Sequence, residues 1–219
     1  MTADLGTDRP EAFLIPTGPA SASHAERGSR FLAIVEECQS VTDGAAIRDV
    51  ERSRTHDATH HVWAVRLADG SFRADDDGEP AGTGGRPILA AIDSAGLVDI
   101  VCVVTRYFGG TKLGTGGLAR AYGLAAALAL DKVTSRRVRR GEIRHVTYGF
   151  DDTGPVARVL VLLAAVRESD EYSEGVRTQI RIVAGTADRL NRELQNATQG
   201  RVCLDPGSSQ IPVWISAET

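Results

Sequence analysis

Hydrophobic and polar residues alternate in blocks that can be read as elements. Phe31–Val35 (FLAIV), ahead of Glu36, has the length and composition of a strand. Thr42 and Asp43 are positioned to cap a helix running to Arg52, with Ala46, Ile47 and Val50 on one face. His61–Leu67 is rich in β-formers, with Trp63 and Val65 on one face. Asp69-Gly70 is a hairpin turn signal, Ser71–Ala74 the returning strand, and residues 75–80 a loop. Gly82–Gly85 opens a helix in which Pro87 fits the first turn and Ile88, Leu89 and Ile92 face the core. Val98–Thr105 is nearly continuous β-branched sequence, predicting a strand buried on both faces. A glycine-rich loop, Phe108–Gly117, then leads to a helix over Leu118–Leu130 that is apolar nearly all round.

The second half changes rhythm. Glu142–Phe150 reads as a strand and Gly154–Val166 as a helix with Val156, Val159, Leu160 and Leu163 inward. Strands follow at Glu168–Tyr172 and Arg177–Val183. A helix capped by Thr186, carrying Leu190 and Leu194, ends at Gly200, and Val202–Leu204 starts a last strand. The order β-α-β-β-α-β is that of the ferredoxin-like arrangement. The expected class is therefore α+β: a loose N-terminus over 1–12, an α/β domain over 13–131, a linker over 132–140 and a ferredoxin-like domain over 141–219.

Charge supports that division. The formal net charge of the 219 residues is −4, against a protein-wide basic coat. Residues 132–140 (KVTSRRVRR) hold five basic and no acidic side chains and lie between two acidic halves. This stretch reads as the domain linker: either a solvated connector or an electrostatic contact for RNA phosphates through Arg136, Arg137, Arg139 and Arg140. Three well-separated cysteines, Cys38, Cys102 and Cys203, exclude a disulfide scaffold and suggest a reducing compartment. The most apolar stretch, Leu118–Leu130, is too short to span a bilayer and contains Arg120. No apolar leader occupies residues 1–10. A cytoplasmic protein without a membrane partner is expected.

One phrase occurs twice: Gly82-Thr-Gly-Gly85 and Gly114-Thr-Gly-Gly117, each before a helix. Free N–H groups at a helix start, with the helix dipole, make an anion site, and Arg86, Arg106, Lys112 and Arg120 lie close in sequence. The alternative is that the glycines only permit close packing. Gly114–Ala119 matches G-x-G-x-x-A literally, but the flanking context of a dinucleotide fold is missing, as is a Walker motif. The acidic run Asp75–Glu79 fails the calcium-loop spacing, since Arg73 would take the first ligand position. It is left as a loose magnesium site or as a turn paired with an arginine such as Arg106. Carboxylates beside a phosphate site would repel the ligand unless a cation intervenes. The adjacent His60 and His61 must point to opposite faces of a strand, so they cannot jointly chelate one ion.

Ser29-Arg-Phe31, His60-His61, Asp76-Asp-Gly-Glu-Pro-Ala-Gly-Thr83, Val104-Thr-Arg-Tyr-Phe-Gly-Gly110, Leu113-Gly-Thr-Gly-Gly-Leu118 and Ala121-Tyr-Gly123 together resemble the YigZ/IMPACT family over residues 13–131. The resemblance implies an N-terminal α/β domain like the second domain of a small-subunit ribosomal protein and a C-terminal ferredoxin-like domain like those of elongation factor G. Eukaryotic members are translational regulators that blunt an amino-acid-starvation kinase by competing for its activator. Their separate N-terminal protein-binding domain is not among these residues. Some bacterial members have been labelled dipeptidases, and no paired-metal ligand set is legible here.

The leading expectation is a non-enzymatic, RNA- or ribosome-associated regulator of translation with no cofactor. Its candidate binding residues are His60, Asp76, Asp77, Glu79, Gly82, Thr83, Gly84, Arg106, Tyr107, Gly109, Gly110, Lys112, Gly114, Thr115, Gly116, Gly117 and Arg120. Arg106, Lys112 and backbone N–H groups would hold phosphate, and Tyr107 or Phe108 would stack on a base. The rival is an enzyme of hydrolase type using Asp76, Asp77 or Glu79 as a magnesium ligand or base. A third reading is a module binding a translation-related protein through its ferredoxin-like sheet.

Overall fold

The computed structural model describes residues 12–205 and 209–216. The expected loose N-terminus lies, except for Ala12, outside the described residues. Among the described residues the fold is mixed, with two antiparallel sheets and five α-helices, and the chain divides into two units between Arg136 and Arg137.

In the first unit the strands are β1 (Phe13–Pro16), β2 (Ala20–Glu26), β3 (Ser29–Glu37), β4 (His60–Arg66), β5 (Phe72–Asp75) and β6 (Ile100–Tyr107). The helices are α1 (Val41–Arg54), α2 (Gly85–Ala95) and α3 (Gly114–Leu130). The sheet runs β2-β3-β6-β4-β5, all antiparallel. β6 is central and buried on both faces, as its sequence predicts. On one face Ile100, Cys102 and Val104 pack with Val62, Phe31 and the alanine-rich side of α3. On the other, Val101 and Val103 pack with Trp63 and Val65 under α1.

Three local expectations are corrected here. The cap of α1 is Ser40, whose hydroxyl accepts from the Asp43 N–H at 3.0 Å. α1 does not bury Ala46 and Val50; it presents Gly44, because a Cβ there would lie 2.4 Å from Val65. α3 begins at Gly114, so the second Gly-Thr-Gly-Gly phrase is the helix's first turn and not a loop before it. β1 and β2 carry no strong pattern and escape the sequence reading. β2 alternates half-buried and exposed small residues, an edge strand with few large side chains.

The second unit contains most of β7 (Ser135–Tyr148), then α4 (Thr153–Leu162), β8 (Val166–Tyr172), β9 (Val176–Val183), α5 (Ala187–Ala197) and β10 (Ser209–Ser216). β10 and β9 both pair with β7, and β8 pairs with β9, all antiparallel. Val146, Ile180 and Ile182 meet Val156, Leu160, Leu190 and Leu194 in its core.

The basic stretch is not coil: from Ser135 it is strand, and β10 supplies a ladder partner to residues 138–143. Val138 is buried, while Arg139 is exposed. Arg137 and Arg139 therefore share one face of β7 and Arg140 the other, so these arginines form no single stripe. Arg136 is exposed at the end of the first unit. The expected last strand at Val202–Leu204 is only a single bridge from Leu204 to Val146, because Asn191 Oδ1 takes the Leu204 N–H at 3.0 Å.

Candidate functional site

The strand register places His60 opposite Arg106, and alternation sends both side chains to the α2/α3 face of the sheet. His61 points the other way and its Nε2 lies 2.7 Å from Thr55 Oγ1 of α1. Burial, then the Arg52 guanidinium, pushes the His61 pKa down. The loop after β5 folds back over His60 through Asp77, whose carbonyl oxygen accepts from His60 Nδ1–H at 2.7 Å. The Asp77 carboxylate accepts from the His61 backbone N–H at 2.7 Å and from Arg52.

Glu79 is buried, its side chain 4% exposed, and sits between two donors. Arg106 Nη1 reaches Oε1 at 2.5 Å, and the Tyr122 hydroxyl donates to the same oxygen at 2.7 Å. Burial, then the Glu79 carboxylate, pushes the Tyr122 pKa up and keeps its hydroxyl a donor. Arg106 is itself 6% exposed on its side chain, lies 5.6 Å from the ring centroids of both Phe31 and Phe108, and leaves Nε buried without a hydrogen-bond partner. This pairing bears out the expectation that the acidic loop meets an arginine such as Arg106. Tyr122 is the residue the sequence reading missed; a tyrosine in an alanine-rich buried helix needs a polar partner, and that was the available signal.

The two Gly-Thr-Gly-Gly turns do different things. In the first, the Asp76 carboxylate accepts from the N–H groups of Gly82, Gly84 and Gly85 at 2.7, 2.9 and 2.8 Å. Burial would raise the Asp76 pKa, and these three donors, with Arg86, hold it below the usual carboxylate range. Thr83 turns onto the Pro80 carbonyl at 2.6 Å. This turn is filled by the protein's own anion, so Gly82, Thr83 and Gly84 are corrected from phosphate cradle to internal cap. For Asp76 the electrostatic conflict with a phosphate ligand disappears with it, while Glu79, paired with Arg106, still lines the pocket at the second turn. The second turn has no side-chain cap, and Gly114, Thr115 and Gly116 are exposed.

A pocket of about 390 Å³ opens at that second turn. It is lined by Lys112, Leu113, Gly114 and Thr115 on one side, by His60, Glu79 and Arg106 on another, and by Phe108. Phe108 is 48% exposed. Tyr107 points elsewhere: its hydroxyl donates to Asp57 at 3.1 Å and Arg30 covers its ring at 4.9 Å. Gly109 is a packing glycine, since a Cβ there would lie 1.9 Å from the Gly28 carbonyl carbon. Gly110 turns the chain with φ +84. Arg120 is exposed one turn along α3 from Gly116. Asp76, Asp77 and Glu79 are all turned onto protein donors, and among the described residues no group of three His, Cys, Asp or Glu is placed to hold a metal ion.

Residues 27–130 match the model of the Impact N-terminal domain. An IMPACT family member of Thermus thermophilus, from the pol 5′ region, is 36% identical over 178 residues, covering 81% of this chain and 97% of that protein. The chain belongs to the IMPACT family. YigZ, an IMPACT family member of Escherichia coli (strain K12), is 39% identical over 131 residues, 58% of this chain and 64% of that protein. A crystal structure described as that of a hypothetical protein superposes with a TM-score of 0.67 at 28% identity, covering 89% of this chain and 97% of that one. Every residue lining the pocket lies inside the IMPACT N-terminal match. Among the described residues no helix is long and apolar enough to cross a membrane.

Proposed function

We propose that this IMPACT family protein is a cytoplasmic, non-catalytic regulator of translation that binds RNA, free or on the ribosome, through the pocket at the start of α3. The observation that carries this reading is the open first turn of α3, with Lys112 beside it and the exposed Phe108 ring lining the same pocket. Unsatisfied N–H groups and an ammonium suit a phosphate, and an exposed ring suits a base. The strand order β10-β7-β9-β8 with two helices supports the ferredoxin-like reading of the second unit, and with it a kinship to translation-factor domains. Fold kinship alone is a weak warrant, so the pocket carries the argument.

The test is co-sedimentation with ribosomes and with bulk RNA at low and high salt. Lys112→Ala and Phe108→Ala are the informative variants, since Arg106→Ala would strip the partner from a buried carboxylate and confound binding with folding. Salt-sensitive binding that weakens in both variants is expected. Binding that ignores salt, or that both variants leave untouched, overturns the reading.

A further inference from the structure

The pocket beside α3 has two chemically opposite walls. Lys112 and the first-turn N–H groups of α3 can only donate. On the other wall the Arg106 guanidinium is engaged by Glu79, and the acceptors are His60 and Glu79. A backbone carbonyl has no proton to give, so the 2.7 Å contact to the Asp77 carbonyl oxygen places the ring proton of neutral His60 on Nδ1. The ring's lone pair is then at Nε2, 3.9 Å from Glu79 Oε1, which is beyond hydrogen-bond reach. That oxygen is itself an acceptor, already held by Arg106 and Tyr122, and cannot supply Nε2 with a proton.

A bare phosphate satisfies the first wall but brings no donor to the second. The ligand therefore needs a hydrogen-bond donor as well as its phosphate, and a flat group for Phe108. A ribonucleotide has this layout: its 2′-hydroxyl is a donor set on the sugar that joins phosphate to base. Resting on the RNA-binding reading above, we infer that His60 Nε2 accepts the 2′-hydroxyl of a nucleotide whose phosphate lies at the α3 turn. His60 is thus the residue by which the pocket selects RNA over DNA.

The experiment is fluorescence anisotropy of the full chain with oligouridylate, oligodeoxyuridylate and 2′-O-methyl oligouridylate of one length, at low salt. All three carry the same base, so they differ only at the sugar 2′ position. RNA is expected to bind roughly three- to tenfold tighter than the other two, the scale of one neutral hydrogen bond. His60→Phe, which keeps a ring without the acceptor, should abolish the difference between RNA and the other two. Equal affinity of the wild-type chain for all three, with Lys112→Ala weakening all three together, overturns the role of His60 and leaves the phosphate site standing. Binding of none of the three overturns both.

Discussion

The same four residues, Gly-Thr-Gly-Gly, start α2 and α3, and the protein uses them in opposite ways. Both first glycines adopt a left-handed backbone, φ +75 at Gly82 and +70 at Gly114, but Gly82 lies before the cap of α2 while Gly114 is the first residue of α3. At α2 the turn is closed: Asp76 takes three N–H groups, and Gly84 and Gly85 are pressed against Val62 and the Asp75 backbone. At α3 the turn is open and lines a pocket. A motif that makes an anion site does not say whose anion fills it. The first turn is a structural device with its anion built in, and the second is where a ligand's anion can go.

The largest effect should come from emptying the closed turn. Asp76→Ala leaves the Gly82, Gly84 and Gly85 N–H groups without their carboxylate and should destabilise the first unit by about 3 kcal/mol, read as a shift in denaturant midpoint. pH sharpens the point. The folded-state pKa of Asp76 is lowered, so its contribution is complete above the unfolded value of about 3.9 and disappears as pH falls through the lower folded value. Wild type should therefore lose stability on acidification more steeply than Asp76→Ala below about pH 5. Parallel acid slopes would show that the carboxylate does not hold this turn.

Next in size is the contrast between a glycine of the closed phrase and a glycine of the open one. A Cβ on Gly85 would lie 2.6 Å from the Asp75 amide nitrogen, which is backbone and cannot step aside. Gly85→Ala should cost about 2 kcal/mol. A Cβ on Gly116 meets only the end of Arg120 at 3.6 Å. Gly116→Ala should be neutral or stabilise by roughly 0.5 kcal/mol, because alanine is the better helix former. Thermal melts of the two variants check this, and similar losses in both would mean that the turns are equally closed.

The difference between the turns was not legible in the sequence, and the reason is specific. The phrase, the acidic loop and Arg106 could all be read, as could the opposite faces of His60 and His61, because strand alternation is local. What assigns Asp76 to the first turn is a chain reversal at Asp77 and Gly78, both at positive φ, which lays the acidic loop across the start of α2. That depends on tertiary placement. The same holds for Glu79, whose partners Arg106 and Tyr122 come from β6 and α3. The basic run 132–140 misled for another reason: charge suggests solvent, but alternate residues of an edge-paired strand can stay exposed while Val138 is buried. The elements with strong periodicity, β4, β6 and α2, lie close to their expected bounds, while α4 starts where expected but ends at Leu162, four residues before the expected Val166, which opens β8. The weakly patterned β1 and β2 were not legible.

The smallest effect on stability is the sharpest test of the comparison, because it makes the second turn resemble the first. Thr115 is exposed in the first turn of α3. A carboxylate there interacts favourably with the helix dipole, worth about 0.3–1 kcal/mol, so Thr115→Glu should hold or raise the melting temperature by about 1–2 °C. The same carboxylate occupies the field that a phosphate would use and repels it. RNA affinity at low salt should therefore fall on the order of tenfold in Thr115→Glu, with a shallower salt dependence. Thr115→Gln, equal in size and uncharged, should bind close to wild type. Loss in Glu with retention in Gln separates charge from bulk, in a protein whose folding the substitution does not weaken. If Glu and Gln bind alike, the open turn of α3 is not where the phosphate sits, and the contrast between the two turns is one of packing alone.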